Sequence, residues 1–207
     1  MVDQNYFDVF SLPHHLNVDT AALEKAFYAQ SRRLHPDRFA SAPAAEQKAA
    51  LAASSHLNDA YRTLKDPILR TQYLLGLEGV ELEEQSKAAT EAARTSGMEK
   101  KQIVPPELLE EVFELNMQLM EMKAAKQLGD AADPDLKRDL EAAAKRFSGK
   151  MAQAQYALEG LWAQWDGAFD ANDDARKLAA RDAMVELLNR RSYLRNLVRD
   201  VNAALEG

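Results

Sequence analysis

The sequence predicts an all-α protein, and three observations support this fold class. Hydrophobic residues make up 46% of the 207 residues, and the aliphatic ones are mostly Ala and Leu, a composition that favours helix over sheet. Gly and Pro are scarce, at 8 and 7 residues. Apolar residues recur every three or four positions along most of the chain, as expected for amphipathic helices, and no segment is a convincing strand.

The first 79 residues predict four short helices. Their boundaries follow from N-cap carboxylates and from prolines that suit a first helical turn or end a helix. The predicted segments are one or two turns at residues 6–10, a helix from Asp19 to about Leu34, a helix from Pro43 to about Leu64, and a short helix that opens at Asp66-Pro67 and continues through Leu75.

The remainder of the chain predicts a linker followed by an antiparallel three-helix bundle. Residues 80–104 are rich in charge, Ala, Ser and Thr without helical periodicity, which indicates a flexible linker. Residues 105–207 carry three long amphipathic patterns separated by short loops, which is typical of a bundle. The first begins at Pro105-Pro106 and stops at Gly129, the second opens at Asp133-Pro134, and the third is capped by Asn172 or Asp173.

A His-Pro-Asp tripeptide, residues 35–37, lies in the loop between the second and third predicted helices. Pro36 cannot continue the helix, because it lacks an N–H and disfavours a helical conformation at His35. The surrounding segment is basic, with Lys25, Arg32, Arg33 and Arg38 outnumbering Glu24 and Asp37. One interpretation is an ordinary corner between two helices, with Pro36 as the breaker, Asp37 as a cap and the arginines on a solvated face.

The sequence around the tripeptide favours a more specific interpretation. The segments YAQSRRLHPDRFAS and LNDAYRTLKDPILRTQYLL resemble the J-domain, and the resemblance extends from Asn5 to about Gly79. The plan of the whole chain resembles the HscB family (Jac-type in mitochondria), the J-domain co-chaperones of iron–sulfur cluster assembly. YFDVFSLP and NDAYRTLKDPILRTQYLLGLEGVEL are close to the sequences of that family, and the Gly/Phe-rich and Cys-rich zinc regions of general J-proteins are absent.

The resemblance implies a co-chaperone that stimulates the ATPase of an HscA/DnaK-type chaperone. Asp37 would accept a charge-assisted hydrogen bond from a chaperone arginine, His35 would position the loop and donate to the partner, and Pro36 would hold the turn. The basic side chains would steer the domain onto an acidic chaperone surface. The expected chaperone-binding residues are Lys25, Tyr28, Arg32, Arg33, His35, Pro36, Asp37 and Arg38.

The first helix of the predicted bundle carries two apolar stripes. One contains Leu108, Val112, Leu115, Leu119 and Met122, and the other contains Leu109, Phe113 and Met120. The stripes are rotated by roughly 120° at 100° per residue, whereas a surface helix needs only one. The second stripe is therefore either core, because neighbours flank the helix on both sides, or an exposed docking site rimmed by Glu110 and Glu114.

In the HscB family this helix, together with an aromatic residue of the last helix, binds the cluster scaffold protein IscU. The family's binding motif aligns best with LEEVFEL, residues 109–115, and the aromatic falls on Tyr193. Two positions depart from the family: its Met is Glu110, and a later acidic position is Met117. The resemblance implies the scaffold-binding residues Leu109, Glu110, Val112, Phe113, Glu114, Met117 and Tyr193.

Composition argues against several other function classes. Cys is absent, which excludes disulfides, thiolate zinc sites and a Cys nucleophile. The four histidines have no ligand-spaced carboxylate pair, which argues against a metal centre and a catalytic set. The net charge of −7 argues against nucleic-acid binding, including a DNA-binding helix–turn–helix.

We therefore expect a monomeric, cytoplasmic protein that is not an enzyme, has no cofactor or metal, and binds neither nucleic acid nor membrane. The sequence shows no signal peptide and no apolar run of membrane-spanning length. The remaining alternative is a J-domain co-chaperone that delivers a different client protein. The sequence leaves open which chaperone paralogue is served and how the two domains are oriented.

Overall fold

The computed structural model describes residues 4–80, 82, 104–129 and 133–206, and all regular structure in these residues is helical. This finding confirms the all-α prediction for the described part of the chain. The predicted linker lies almost entirely outside the described residues. The helices are α1 (Tyr6–Val9), α2 (Thr20–Leu34), α3 (Ala44–Lys65), α4 (Pro67–Leu77), α5 (Leu109–Leu128), α6 (Pro134–Asp170) and α7 (Asp174–Glu206), with 3₁₀ turns at Pro36–Phe39 and Pro106–Leu108.

The helix boundaries follow from the capping residues that the sequence predicts. The carboxylates of Asp19 and Asp66 each accept hydrogen bonds from the backbone N–H groups two and three residues later, at 2.8 to 3.0 Å. Asp173, rather than Asn172, caps α7, since its carboxylate accepts from the Arg176 N–H at 3.1 Å. Helix α5 ends at Gly129, whose φ of 73° is a left-handed conformation that glycine adopts without a steric penalty.

The chain divides into two compact units that do not follow the linear order of the sequence. Unit 1 contains Met1–Glu81 and Leu161–Asp182, and unit 2 contains Leu82–Gly160 and Ala183–Gly207. Helices α6 and α7 therefore each contribute residues to both units. The sequence pattern places residues 161–182 in the bundle, whereas in the structure this segment, which includes the turn between α6 and α7, belongs to unit 1.

Unit 1 is organised around α3, which contacts α1, α2, α4 and the 3₁₀ turn at Pro36–Phe39. Helices α2 and α3 run antiparallel, because Glu24 near the start of α2 accepts a hydrogen bond from Tyr61 near the end of α3. The loop between them therefore lies at the opposite end of this hairpin. The buried core includes Phe7, Leu16, Leu23, Leu57, Leu64, Leu74, Leu75 and Trp165.

Four side chains of α6 are hydrogen-bonded to the N-terminal part of unit 1, including Asp170, whose carboxylate lies 2.8 Å from His15 Nε2. The Trp162 indole donates to the Thr71 hydroxyl at 3.0 Å, and the Trp165 indole donates to the His14 carbonyl at 2.9 Å. The Asp166 carboxylate accepts from the backbone N–H groups of residues 16 and 17, at 2.7 and 3.0 Å. These bonds satisfy polar groups within the unit, which is why the end of α6 packs there.

Unit 2 is built on one hydrophobic core to which α5, α6 and α7 all contribute. Glu107, just before α5, pairs with Arg190, and Lys126 at the end of α5 donates to the Ala204 carbonyl at 2.5 Å. Helix α5 therefore runs parallel to α7, and α6, joined to α7 by three residues, runs antiparallel to both. The core contains Leu108, Val112, Leu115, Met122, Leu136, Leu140, Ala143, Phe147, Tyr193, Leu194, Leu197 and Val201.

Candidate functional site

The His-Pro-Asp tripeptide lies in the loop that connects α2 and α3, at the closed end of this hairpin. His35 ends α2 with an extended backbone, at φ −60° and ψ 129°, as expected before a proline. The Asp37 N–H donates to His35 Nδ1 at 3.3 Å, and an Asp37 carboxylate oxygen lies 3.4 Å from the same nitrogen. The side chains of His35 and Asp37 are 56% and 89% exposed. A local turn thus holds both functional groups together while leaving them accessible to a partner.

Basic side chains line α2 and the loop that follows it, and in the described part of the chain none of them has a carboxylate partner. Lys25, Arg32, Arg33 and Arg38 are all exposed, as is Tyr28. Within the described residues, none of the four cations forms an ion pair. Together with His35, Pro36 and Asp37, these five residues are termed the basic loop surface.

Glu24, the acidic residue of α2, does not offset this charge, because its carboxylate faces α3. It accepts from the Tyr61 hydroxyl at 3.0 Å and lies 3.5 Å from Lys65 Nζ. The Tyr61 hydroxyl and then the charge of Glu24 raise the pKa of Lys65, which keeps that lysine protonated. The carboxylate is therefore neutralised locally, and the cations of the basic loop surface dominate its electrostatic potential.

Helix α5 exposes the second of its two apolar stripes. The first stripe is in the core, with Leu108, Val112, Leu115 and Met122 buried. The second consists of Leu109, Phe113 and Met120, which are 55%, 70% and 68% exposed, and Met117, at 56%, extends it. These four residues are termed the α5 stripe. Of the two interpretations of the second stripe, core is therefore wrong and exposure is correct.

The two edges of the α5 stripe differ in charge. At about 100° per residue, Glu110, Glu114 and Glu121 lie along one edge, while Asn116 and Lys123 lie along the other; all five side chains are exposed. The stripe therefore has one acidic edge. It is suited to a partner segment with an apolar face and basic residues on the matching side.

Val112 and Tyr193, two of the residues predicted to bind the scaffold, lie in the core of unit 2. They are only 5% and 8% exposed, and burial raises the pKa of the Tyr193 hydroxyl. Tyr193 belongs to the apolar face of α7 that includes Leu194 and Leu197. Scaffold binding by Tyr193 stays a prediction, and the structure places most of its side chain in the core, because this part of α7 faces inward. Both residues belong to the core of unit 2, against which α5 packs.

The structure assigns the predicted site residues to two groups. The eight expected chaperone-binding residues lie in unit 1, and the seven expected scaffold-binding residues lie in unit 2. Among the described residues, no cluster of three or more His, Asp or Glu side chains is arranged to hold a metal ion. In the same part of the chain, no helix is long and apolar enough to cross a membrane.

Comparisons with known proteins match both parts of the chain. The DnaJ domain family model matches residues 5–73. A co-chaperone protein HscB homolog of Vibrio cholerae serotype O1 is 34% identical over 178 residues, covering 84% of this chain and 88% of that protein. An HscB homolog of Bordetella petrii is 41% identical over 93 residues, covering 45% of this chain and 55% of the relative.

The match therefore spans only about half the length of relatives such as the Bordetella protein. A solved structure, chaperone HscB from Vibrio cholerae, matches with a TM-score of 0.57 at 29% sequence identity. This likeness covers 98% of the present chain and 99% of the other. The likeness to HscB proteins thus extends along nearly the whole chain, and the match to the DnaJ domain covers its first part.

Proposed function

The chain belongs to the HscB co-chaperone family, and from this premise we propose that it stimulates the ATPase of an HscA/DnaK-type chaperone and delivers an IscU-type iron–sulfur scaffold protein to it. The observation that carries the proposal is the exposure of His35 and Asp37 in the His-Pro-Asp tripeptide, within the segment that matches the DnaJ domain. The protein acts as a co-chaperone rather than an enzyme, in the cytoplasm, and needs no cofactor of its own.

The basic loop surface binds the chaperone in this proposal. The highly exposed Asp37 carboxylate accepts a charge-assisted hydrogen bond from a chaperone arginine, a stronger interaction than a bond between neutral groups. The Asp37 N–H bond to His35 Nδ1 keeps the imidazole beside the carboxylate, so that the remaining ring nitrogen faces the partner. The unpaired cations attract an acidic chaperone surface and mainly increase the association rate.

The α5 stripe binds the scaffold protein. Isolated exposed apolar residues are common on protein surfaces, but a contiguous stripe of large ones is typical of an interaction site. Leu109, Phe113 and Met117 supply apolar contacts, while Glu110 and Glu114 select basic residues on the partner. Val112 and Tyr193 contribute by fixing the position of α5 from the core.

The charge pattern of α5 favours a different protein over a second copy of this chain. In a two-fold antiparallel pair of α5 helices, each edge meets the same edge of the other copy. With the two-fold axis near the middle of the stripe, Glu114 of one copy would face Glu121 of the other, and like charges at that distance repel. A monomer that binds a partner with a basic edge is consistent with this pattern.

A client other than the scaffold protein is the alternative function. Any protein that presents an apolar segment with a basic edge fits the α5 stripe, so the experiment must separate stimulation from client identity. Single-turnover ATP hydrolysis by an HscA-type chaperone is measured alone, with this protein, and with this protein plus purified IscU-type scaffold. We expect acceleration by the protein alone and a further increase when the scaffold is added.

The double variant Leu109→Ala/Phe113→Ala is the matched control for that experiment. Its J-domain is unchanged, so it should retain the acceleration by the protein alone and lose the increase that depends on the scaffold. Acceleration without any scaffold effect in the unmodified protein would favour a different client. The absence of any acceleration would refute the co-chaperone mechanism.

A further inference from the structure

The loop after the tripeptide is bonded to α3 by a single side chain, that of Gln47. Gln47 lies in the first turn of α3, and its Nε2 donates to the Ala40 carbonyl at 3.2 Å and to the Ala42 carbonyl at 2.9 Å. A carboxamide nitrogen has two N–H donors, so both are used on loop carbonyls. The side chain is exposed.

In the described part of the chain, the other hydrogen bonds of these loop residues are short-range turn bonds. The Ala40 N–H donates to the Asp37 carbonyl at 3.4 Å, and the Ala42 N–H donates to the Phe39 carbonyl at 2.9 Å. The first of these bonds is at the long end of the normal range. Gln47 therefore connects the turn that begins at Asp37 to the regular backbone of α3.

We propose that Gln47 is a positioning residue for the tripeptide. By fixing residues 40–42 against α3, it restricts the backbone that follows Asp37 and keeps the carboxylate in the orientation that the chaperone binds. Loss of its donors leaves the tripeptide intact but lowers the fraction of molecules in the competent orientation. The apparent affinity of a partner falls in proportion to that fraction, while the fully bound complex is unaltered. This inference rests on the proposed chaperone-stimulating function of the loop.

Gln30 provides a matched control within the same unit. Its Nε2 donates to the Val9 carbonyl at 3.0 Å and so ties α2 to α1. This is the same type of bond, from a glutamine side chain to a backbone carbonyl, but it does not involve the loop. Gln30→Met and Gln47→Met remove donors of the same kind while keeping a side chain of similar length and no charge.

The test compares the two variants in the full chain by titrating each against an HscA-type chaperone and measuring ATP hydrolysis. For Gln47→Met we expect the concentration giving half-maximal stimulation to rise about three- to tenfold, as a competent fraction near one third to one tenth would require. The maximal rate should stay unchanged. Gln30→Met should leave both values unchanged, and thermal melts should show both variants folded.

Amide hydrogen exchange supplies a second measurement on the same proteins. Gln47→Met should exchange faster at the N–H groups of Ala40 and Ala42, and Gln30→Met should not. An unchanged half-maximal concentration for Gln47→Met, or an equal rise for Gln30→Met, overturns the positioning role. If the unmodified protein gives no stimulation, it is the proposed function that fails, so the two failures are distinguishable.

Discussion

The basic loop surface and the α5 stripe are both exposed, but their exposure carries different information. Charged and polar side chains such as Arg32 and Asp37 are exposed on almost any protein. Four large apolar side chains aligned on one helix, each more than half exposed, are unusual for a free surface. The accessibility of the loop therefore only permits a function, whereas the accessibility of the stripe indicates one.

Sequence motifs identify the basic loop surface better than they identify the α5 stripe. The tripeptide and its flanking residues identify the loop by sequence alone, because a chemically specific carboxylate and imidazole must occupy fixed positions. The α5 motif departs from its family at Glu110 and Met117, so sequence leaves its role open. A polar site that depends on particular functional groups is best found from sequence, and an apolar site that depends on exposed area is best found from structure.

The largest expected effect concerns the loop. Asp37→Asn and His35→Gln should each abolish stimulation of the chaperone ATPase, because each removes the functional group proposed to bind the partner. Neither should change the melting temperature appreciably, since exposed side chains contribute little to the free energy of unfolding. Asp59→Asn, which changes a half-exposed carboxylate of α3 outside the loop, is the control and should retain full stimulation. Normal stimulation by both loop variants would mean that the tripeptide is only a helix–helix corner.

The next effect separates the surface of unit 2 from its core. Phe113→Ala should weaken scaffold binding by more than about 1 kcal/mol, as expected of an apolar interface residue that dominates binding, with an unchanged melting temperature. Tyr193→Ala should instead lower the free energy of unfolding by about 3 to 5 kcal/mol, as is usual for a buried aromatic. Calorimetric binding and thermal melts on both variants test this contrast. A destabilised Phe113→Ala, or a fully stable Tyr193→Ala that no longer binds, would contradict the assignment of surface and core.

The smallest expected effect is the dependence on salt, which should distinguish the two surfaces directly. Raising ionic strength to a few hundred millimolar shortens the Debye length to about 5 Å. The concentration of protein needed for half-maximal stimulation should then rise several-fold, while scaffold binding to the largely apolar stripe should change less. Charge reversal at Arg32 and Arg33 should reproduce this rise at low salt. Salt-independent stimulation would show that the chaperone contact is mainly apolar.

The sequence by itself determined the helical class, the positions of most helix ends and the tripeptide. These features are local: an N-cap such as Asp19 needs only the next three residues, and Gly129 ends α5 through its own backbone freedom. Periodicity also separated the apolar stripes of α5, because helical spacing fixes which side chains share a face.

Only the tertiary structure decided which faces are covered. Periodicity marks Tyr193 and Phe113 alike as apolar helix residues, and packing buries one while leaving the other exposed. The assignment of residues 161–182 to unit 1 depends on bonds such as those of Asp166, whose partners lie about 150 positions earlier in the chain. Gln47 has no sequence signal as a loop contact, since a glutamine in a helix is usually solvated. Such contacts arise from how the helices pack against one another, and no local pattern in the sequence specifies that packing.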